Sequence, residues 1–541
     1  LTRRGPVLRT LGRAKLELGL AGVVVLLFGD YLFSDRLLFG TDSIPGGLFF
    51  RALVVDFVRA FHELPRWNPY ILGGLPFLDA THGDTLFPSS LLHFVMPVYR
   101  GMGHKLLLHV FLAGVFMAFY LRTLALRPPA VAWGAFAYML CPIFASYIFA
   151  GQDGKMYVAS LTPLVLGLLE RAMRSGSARH FALLGLALGL AILSAHVQMA
   201  YHLTWFLGAL FVLRAWRRDP AGGPPGRVRR TALFAMAVAI GLMVAAIQLF
   251  PAVAYVKHPD GFSVRSTRTD YAHAESWSLH AEEVASMVVP EFCASPRGYW
   301  GRNQFKLNSD YPGILAILLA AAALRRRDAT RLFLGGLAAF CVLYALGGGT
   351  PVHRLFYAVV PQVKMFRAPP LVMFGAAFAL CALGAHAVHD LAEGDGRRER
   401  RGRSRTVPAA LTAAGVLLLA GLGAGAVADA WNALLRPDLS PPLRQAQVAG
   451  LPAFRTGAWT AALVLAAAAG LLEAHARRAL SLRVVAAGLI VLAVFDAWRI
   501  DRRFVAVVDP RPFIEPSPLL ARLAQESRAE KFRVMPVAEG L

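Results

Sequence analysis

The chain reads as long apolar runs separated by short polar breaks. Runs such as "AGVVVLLFG" and "LTAAGVLLLAGLGAGAVA" lack the strict alternation of a half-buried strand. With a window of roughly 19 residues, hydropathy marks about 13 segments. They fall near 16–33, 104–124, 130–150, 156–173, 181–196, 197–215, 231–255, 309–324, 331–346, 369–391, 407–428, 457–475 and 481–499. Most are long enough to cross a hydrocarbon core of about 30 Å as an α-helix. A membrane β-barrel would show shorter, alternating segments instead. The expected fold class is an all-α polytopic membrane protein.

The polar breaks add orientation. Arg3, Arg4, Arg9, Arg13 and Lys15 precede the first segment. Further basic groups follow the even-numbered ones: Arg122 and Arg127, then Arg171, Arg174 and Arg179, then six arginines over 214–230, Arg325–Arg327, the run "GRRERRGRSR", and Arg477 with Arg478. All fall on the side of the N-terminus, which the positive-inside rule makes cytoplasmic. The other side holds 34–103, 151–155, 256–308, 347–370 and everything after about residue 500. Two amphipathic stretches in the first of these, 46–62 and 86–97, are expected to lie in the interface plane.

Composition agrees. Of 541 residues, 56% are hydrophobic and 16% charged, against about 25% charged in a soluble protein. The net charge of +23 could suggest nucleic acid. The basic residues sit in short loops between apolar segments, however, which is the footprint of topology and anionic headgroups. No nucleic-acid partner is expected. Of four cysteines, Cys141, Cys341 and Cys381 lie in apolar segments and Cys293 lies alone, with no CxxC and no disulfide framework. The first segment runs on into the protein, against a cleavable signal peptide. Residues 1–500 are read as a transmembrane domain. Residues 501–541, with a Pro-rich linker, a short helix and "KFRVMPV" as a strand start, are read as the beginning of an extracytoplasmic domain that continues further.

Candidate chemistry gathers in the outer loops. Asp42 in "LLFGTDSIPGG" sits just past the first span, where a partly desolvated carboxylate can act as a general base. Asp30 and Asp35 are nearby competitors. "RWNPYILGGLPFLDATHGDTLFPSS" presents Asp79, His82 and Asp84 on an irregular backbone. A histidine with two carboxylates can bind a divalent cation or share acid–base work, although D-x-x-H-x-D is no specific metal signature. Asp153 and Lys155 in "GQDGK" stand at the mouth of the fourth span. His196, Gln198, Tyr201 and His202 in "SAHVQMAYH" are intramembrane polar groups that line a cavity or glue helices. Lys364 and Arg367 in "KMFRAPP" are positive charges on the outer side, which asks for an anion. His353 and Arg354 are weaker candidates. There is no P-loop and no GxGxxG in a strand–helix setting, so no nucleotide cofactor is expected.

These stretches, with "DYPGILAILLA" and "FRAPPLVMF", occur in the order seen in YfhO-type bacterial membrane proteins, which the chain resembles over nearly its whole length. That family looks like a branch of the GT-C superfamily of membrane glycosyltransferases. The resemblance implies a GT-C-like helical bundle in the bacterial cytoplasmic membrane. It implies a polyprenyl-phosphate sugar donor drawn from the membrane lipids and a glycan, polymer or lipid acceptor outside the cytoplasm. Asp42 matches the acid after the first span, the preferred catalytic base. Asp84 matches the second acid of that loop. Lys155 and Arg367 match positions that hold the lipid phosphate, with His196, Gln198, Asp153, His82 and Tyr201 expected to bind substrate. Asp42 and Asp84 are expected to face one outward cavity that also contains Arg367 or Lys155. A transporter would share the spans but show repeats and broken helices at midplane. A non-catalytic scaffold would need no such convergence.

Overall fold

The computed structural model describes residues 6–530 and 532, apart from 72, 82, 216–225, 259–262, 264–266, 296–297, 304–307 and 394–404. The expected strand at "KFRVMPV" and residue His82 therefore lie outside the described residues. The principal helices are α1 (Pro6–Leu27), α2 (Leu48–Phe61), α3 (Val98–Thr123), α4 (Pro128–Met139), α5 (Pro142–Ala150) and α6 (Asp153–Ser175). Next come α7 (Ala178–Leu193), α8 (Val197–Ala215), α9 (Arg227–Val256), α10 (Ile314–Ala323), α11 (Ala329–Ala345) and α12 (Pro351–Val359). The last are α13 (Phe374–Glu393), α14 (Thr406–Leu422), α15 (Ala424–Leu435), α16 (Pro441–Ala476), α17 (Leu482–Asp501) and α18 (Pro518–Ala529).

Each of the apolar segments overlaps a helix, because backbone polar groups in hydrocarbon must be satisfied within their own segment. By length and hydropathy, six helical stretches among the described residues can cross a membrane: α3, α4 with α5, α6, α9, Pro369–Leu391 and α16. The pair α14–α15, bent by 90°, makes a seventh if taken as one span. Helices α7, α10 and α11 are apolar but shorter. Thirteen crossings thus exceed what helix length and composition establish.

Burial divides the bundle. The apolar windows of α6 and Pro369–Leu391 are 89% buried, so these are central; that of α9 is 22% buried, so its surface faces lipid. Helix α3 packs on α6 and α4, α7 on α9, and both α10 and α11 on α13. Proline shapes the centre. Pro142 starts α5 after a break from α4, since the residue before proline leaves the helical region. Pro163 lies inside α6 and removes the N–H that would bond the Ala159 carbonyl. The hydroxyl of Tyr138 donates to that carbonyl at 2.7 Å instead.

The 34–103 segment packs as a cap. Helix α2 buries Leu48, Arg51, Val54 and Val55 and exposes Phe49 and Phe61, as its amphipathic pattern predicts. The 86–97 stretch forms two short helical turns, Pro88–Leu91 and Leu92–Val95, with Leu91 and Val95 exposed. Leu37 and Leu38 pair antiparallel with Val508 and Val507, which ties this cap to the chain beyond α17.

Candidate active site

Asp42 is delivered by a close crossing of two backbones. Gly151 has φ +68°, and a Cβ there would stand 2.5 Å from the Ser43 nitrogen. A Cβ on Gly40 would stand 2.8 Å from the Gly151 Cα. Only glycine permits both. The approach lets the Thr41 and Asp42 N–H groups donate to the carbonyls of Phe149 and Ala150, at 2.8 and 3.2 Å. The Asp42 carboxylate then accepts from Gln152 Nε2 at 2.7 Å.

Asp42 lines a cavity of about 810 Å³ whose wall also holds Gln152, Lys155, His196, Gln198, Arg268, His273, Trp277, Asn303, Asn308, Asp310 and Arg367. Among the described residues three permanent cations and two carboxylates line this wall, a net positive balance. Arg367 stacks its guanidinium over the Trp277 ring at 3.9 Å. Burial and the neighbouring Arg268 lower its pKa, which marks a place where positive charge is undercompensated. The loop carrying it is pinned by Gln198 Nε2, which donates to the Arg367 carbonyl at 2.6 Å, and by the Tyr201 hydroxyl, which donates to the Pro361 carbonyl. His196 Nδ1 accepts from the Met199 N–H at 3.4 Å at the start of α8. Ala195, Trp277 and Ala368, all on this wall, have left-handed backbones at φ 62°, 64° and 56°. Non-glycine residues held this way cluster where a site is built.

Asp84 and Asp153 do not line this cavity, contrary to the expectation that Asp42 and Asp84 share one. Asp84 is 3% exposed. It accepts from Arg51 Nη2 at 2.8 Å, Lys105 Nζ at 2.5 Å, Tyr157 Oη at 2.5 Å and Ser90 Oγ at 2.9 Å. Asp153 Oδ2 takes Arg51 and Lys105, each at 2.8 Å. The cluster holds two cations and two anions. Burial alone would raise the Asp84 carboxyl, but Arg51 and Lys105 outweigh it and hold it well below the usual carboxylate range. A carboxylate saturated by four donors takes no further proton from a substrate. Its geometry fits a lock that fastens the cap to α3 and α6. Tyr201 also stays off the cavity wall and acts on the loop behind it. Asp79 does not line the cavity either.

Sequence reading passed over Arg268, His273, Trp277, Asn303, Asn308 and Asp310. They come from 256–308 and from the residue before Tyr311, far from the first loop in sequence. One signal was available for the lock: Lys105 is a charge within an apolar span, which by default asks for a partner. Among the described residues no group of three or more His, Cys, Asp or Glu is gathered closely enough to hold a metal ion.

No protein-family model and no curated protein sequence matches the chain. Among solved structures, ArnT from Cupriavidus metallidurans, determined bound to undecaprenyl phosphate, is similar with a TM-score of 0.50 at 15% identity over 96% of this chain and 81% of that one. The Archaeoglobus fulgidus oligosaccharyltransferase tethered to an acceptor peptide is also similar, at TM-score 0.38 and 13% identity over 83% of this chain and 55% of that one. The second likeness is too loose to argue from. The YfhO-type resemblance finds no match in these comparisons. At this identity the likeness to ArnT speaks for the fold alone: the chain shares the helical architecture of that structure.

Proposed function

We propose that the chain is a membrane glycosyltransferase of the GT-C type, on a YfhO-like branch, that transfers a sugar from a polyprenyl-phosphate donor to an acceptor outside the cytoplasm. The observation that supports it most is the single cavity shared by Asp42, Lys155 and Arg367. ArnT, the structure of like fold, was determined with undecaprenyl phosphate, which supports a lipid-phosphate ligand here.

In this reading the donor phosphate sits against Lys155, Arg268 and Arg367. Asp42 takes the proton of the acceptor hydroxyl. That oxygen attacks the anomeric carbon, and the bond from that carbon to the phosphate oxygen breaks with inversion. The electron pair leaves on polyprenyl phosphate, whose growing charge the cations stabilise. Gln152 orients the Asp42 carboxylate. Asp84 and Asp153 belong to the lock rather than to the proton transfer. The scheme needs no nucleotide. We place the protein in the bacterial cytoplasmic membrane, with the N-terminus inside and the cavity on the outer face.

The test is turnover of a polyprenyl-phosphate sugar by the purified chain with candidate acceptors. Asp42→Asn lowers turnover by roughly a hundredfold or more, with an unchanged melting temperature. Equal turnover in the variant and the wild type sinks the assignment.

A further inference from the structure

A second crevice lies at the far end of the bundle. The chain enters α10 and α13 beside the large cavity, where Asp310 and Leu371 precede them, and reaches this crevice at Arg325, just past α10, and at Asp390, in the last turn of α13. With 20 residues, α13 spans about 30 Å, so the two sites stand at opposite ends of the bundle. The crevice has a volume of about 160 Å³.

Its lining is divided by chemistry. Leu319 and Ala322 of α10 and Leu472 of α16 form an apolar slot between helices. Arg325, Arg326 and Thr406 form its polar mouth. Arg325 Nη1 donates to Thr406 Oγ1 at 2.8 Å, which fixes the guanidinium and leaves most of its five N–H donors for another acceptor. Asp390 at the mouth is already neutralised. Arg331 reaches both of its oxygens, at 2.7 and 2.6 Å, and Arg326 adds a bond at 2.9 Å. Arg331 is held by Asp328 as well, at 3.0 Å, so the positive charge set over the apolar slot is that of Arg325, whose bond goes to a neutral hydroxyl. A free anion would have no use for that slot, and an uncharged lipid none for the arginines.

We propose that this crevice binds the phosphodiester headgroup of an anionic membrane lipid, with an acyl chain along Leu319 and Leu472. It would seat a lipid of the leaflet opposite the large cavity, so it is independent of the glycosyl-transfer reading. Guanidinium groups pair phosphate oxygens bidentately, and basic pockets between membrane helices are suited to such headgroups.

The test is native mass spectrometry of the detergent-solubilised full chain after exposure to phosphatidylglycerol, to phosphatidylcholine or to inorganic phosphate. The wild type retains phosphatidylglycerol over phosphatidylcholine, and inorganic phosphate does not displace it. Arg325→Ala weakens that retention roughly fivefold, and Arg325→Lys loses less. Ala322→Phe fills the slot with every arginine intact and also loses the lipid, which keeps the test alive if Arg325→Ala fails to fold. Equal retention of the two lipids, full displacement by inorganic phosphate, or unchanged retention in Ala322→Phe overturns the proposal.

Discussion

Asp42 and Asp84 come from one loop, yet differ in what surrounds them. Asp42 meets one amide and an open cavity; Asp84 meets two buried cations and two hydroxyls. Removing one partner of a buried ion pair leaves the other charge uncompensated, at a cost of about 3–5 kcal/mol. Asp84→Asn is therefore expected to lower the melting temperature sharply in detergent, whereas Asp42→Asn leaves it alone. An Asp84→Asn variant that melts like the wild type but has lost turnover would make Asp84 a catalytic group after all. The same corner sets a pH dependence. Burial, with Lys105 adding to it, pushes His93 down from its ordinary 6.5 to about 3. Its folded pKa is depressed, so its contribution is complete above about 6.5 and is lost as pH falls towards 3, by an amount on the order of a few kcal/mol. Asp84 is depressed too, so its share persists to lower pH and goes only below the usual carboxylate range. Denaturation midpoints measured from pH 7 to pH 4 should fall in the wild type and fall less in His93→Gln. Asp42 was legible because it follows a span directly. The fate of Asp84 was not, because Arg51 and Lys105 reach it only through the packing of α2 and α3.

Among the elements, two short crossings decide the site. The Gly40–Gly151 contact sets where Asp42 stands, and its glycines were visible in "LLFGTD" and "GQDGK" only as turn signals. Gly151→Ala forces a Cβ against the Ser43 backbone in a left-handed conformation. That costs about 1–2 kcal/mol of stability and pushes Asp42 off Gln152. Turnover should drop far more than the melting temperature; a fall in melting with intact turnover would show that Asp42 is positioned by something else. The Arg367 loop is the second crossing. The Ala368 N–H donates to the Ser276 carbonyl at 3.0 Å, and Asn303 Nδ2 donates to the Trp277 carbonyl at 2.8 Å. Trp277→Ala removes the ring beneath the guanidinium, a contact worth about 0.5–2 kcal/mol. It should raise the KM for the lipid donor several-fold with little change in kcat. A change confined to kcat would place Trp277 outside donor binding.

Across the whole molecule, buried polar bridges tie distant helices to the cavity. Tyr311 follows Asp310, and its hydroxyl donates to Asp496 of α17 at 2.6 Å while accepting from the Ile314 N–H at 2.8 Å. Arg499 joins Asp496 to Glu291 in the 256–308 segment. Tyr311→Phe leaves Asp496 short of a donor, a penalty of about 1–3 kcal/mol. It should lower both melting temperature and turnover, whereas Asp310→Asn should spare the melting temperature. The hydropathy of the chain by itself determined the membrane class, the helical segments and the amphipathic α2, because each depends on residues a few positions apart. It also pointed to Asp42, Lys155, His196, Gln198 and Arg367, since polar groups at span ends are costly enough to stand out. Tertiary structure alone decided which acids meet the cavity and which are locked away. Asp42 and Gln152 bond across 110 positions, and Asp84 finds Tyr157 across 73. Such pairings depend on how whole helices lie against one another, and side-chain packing over that range leaves no periodic trace in the order of residues.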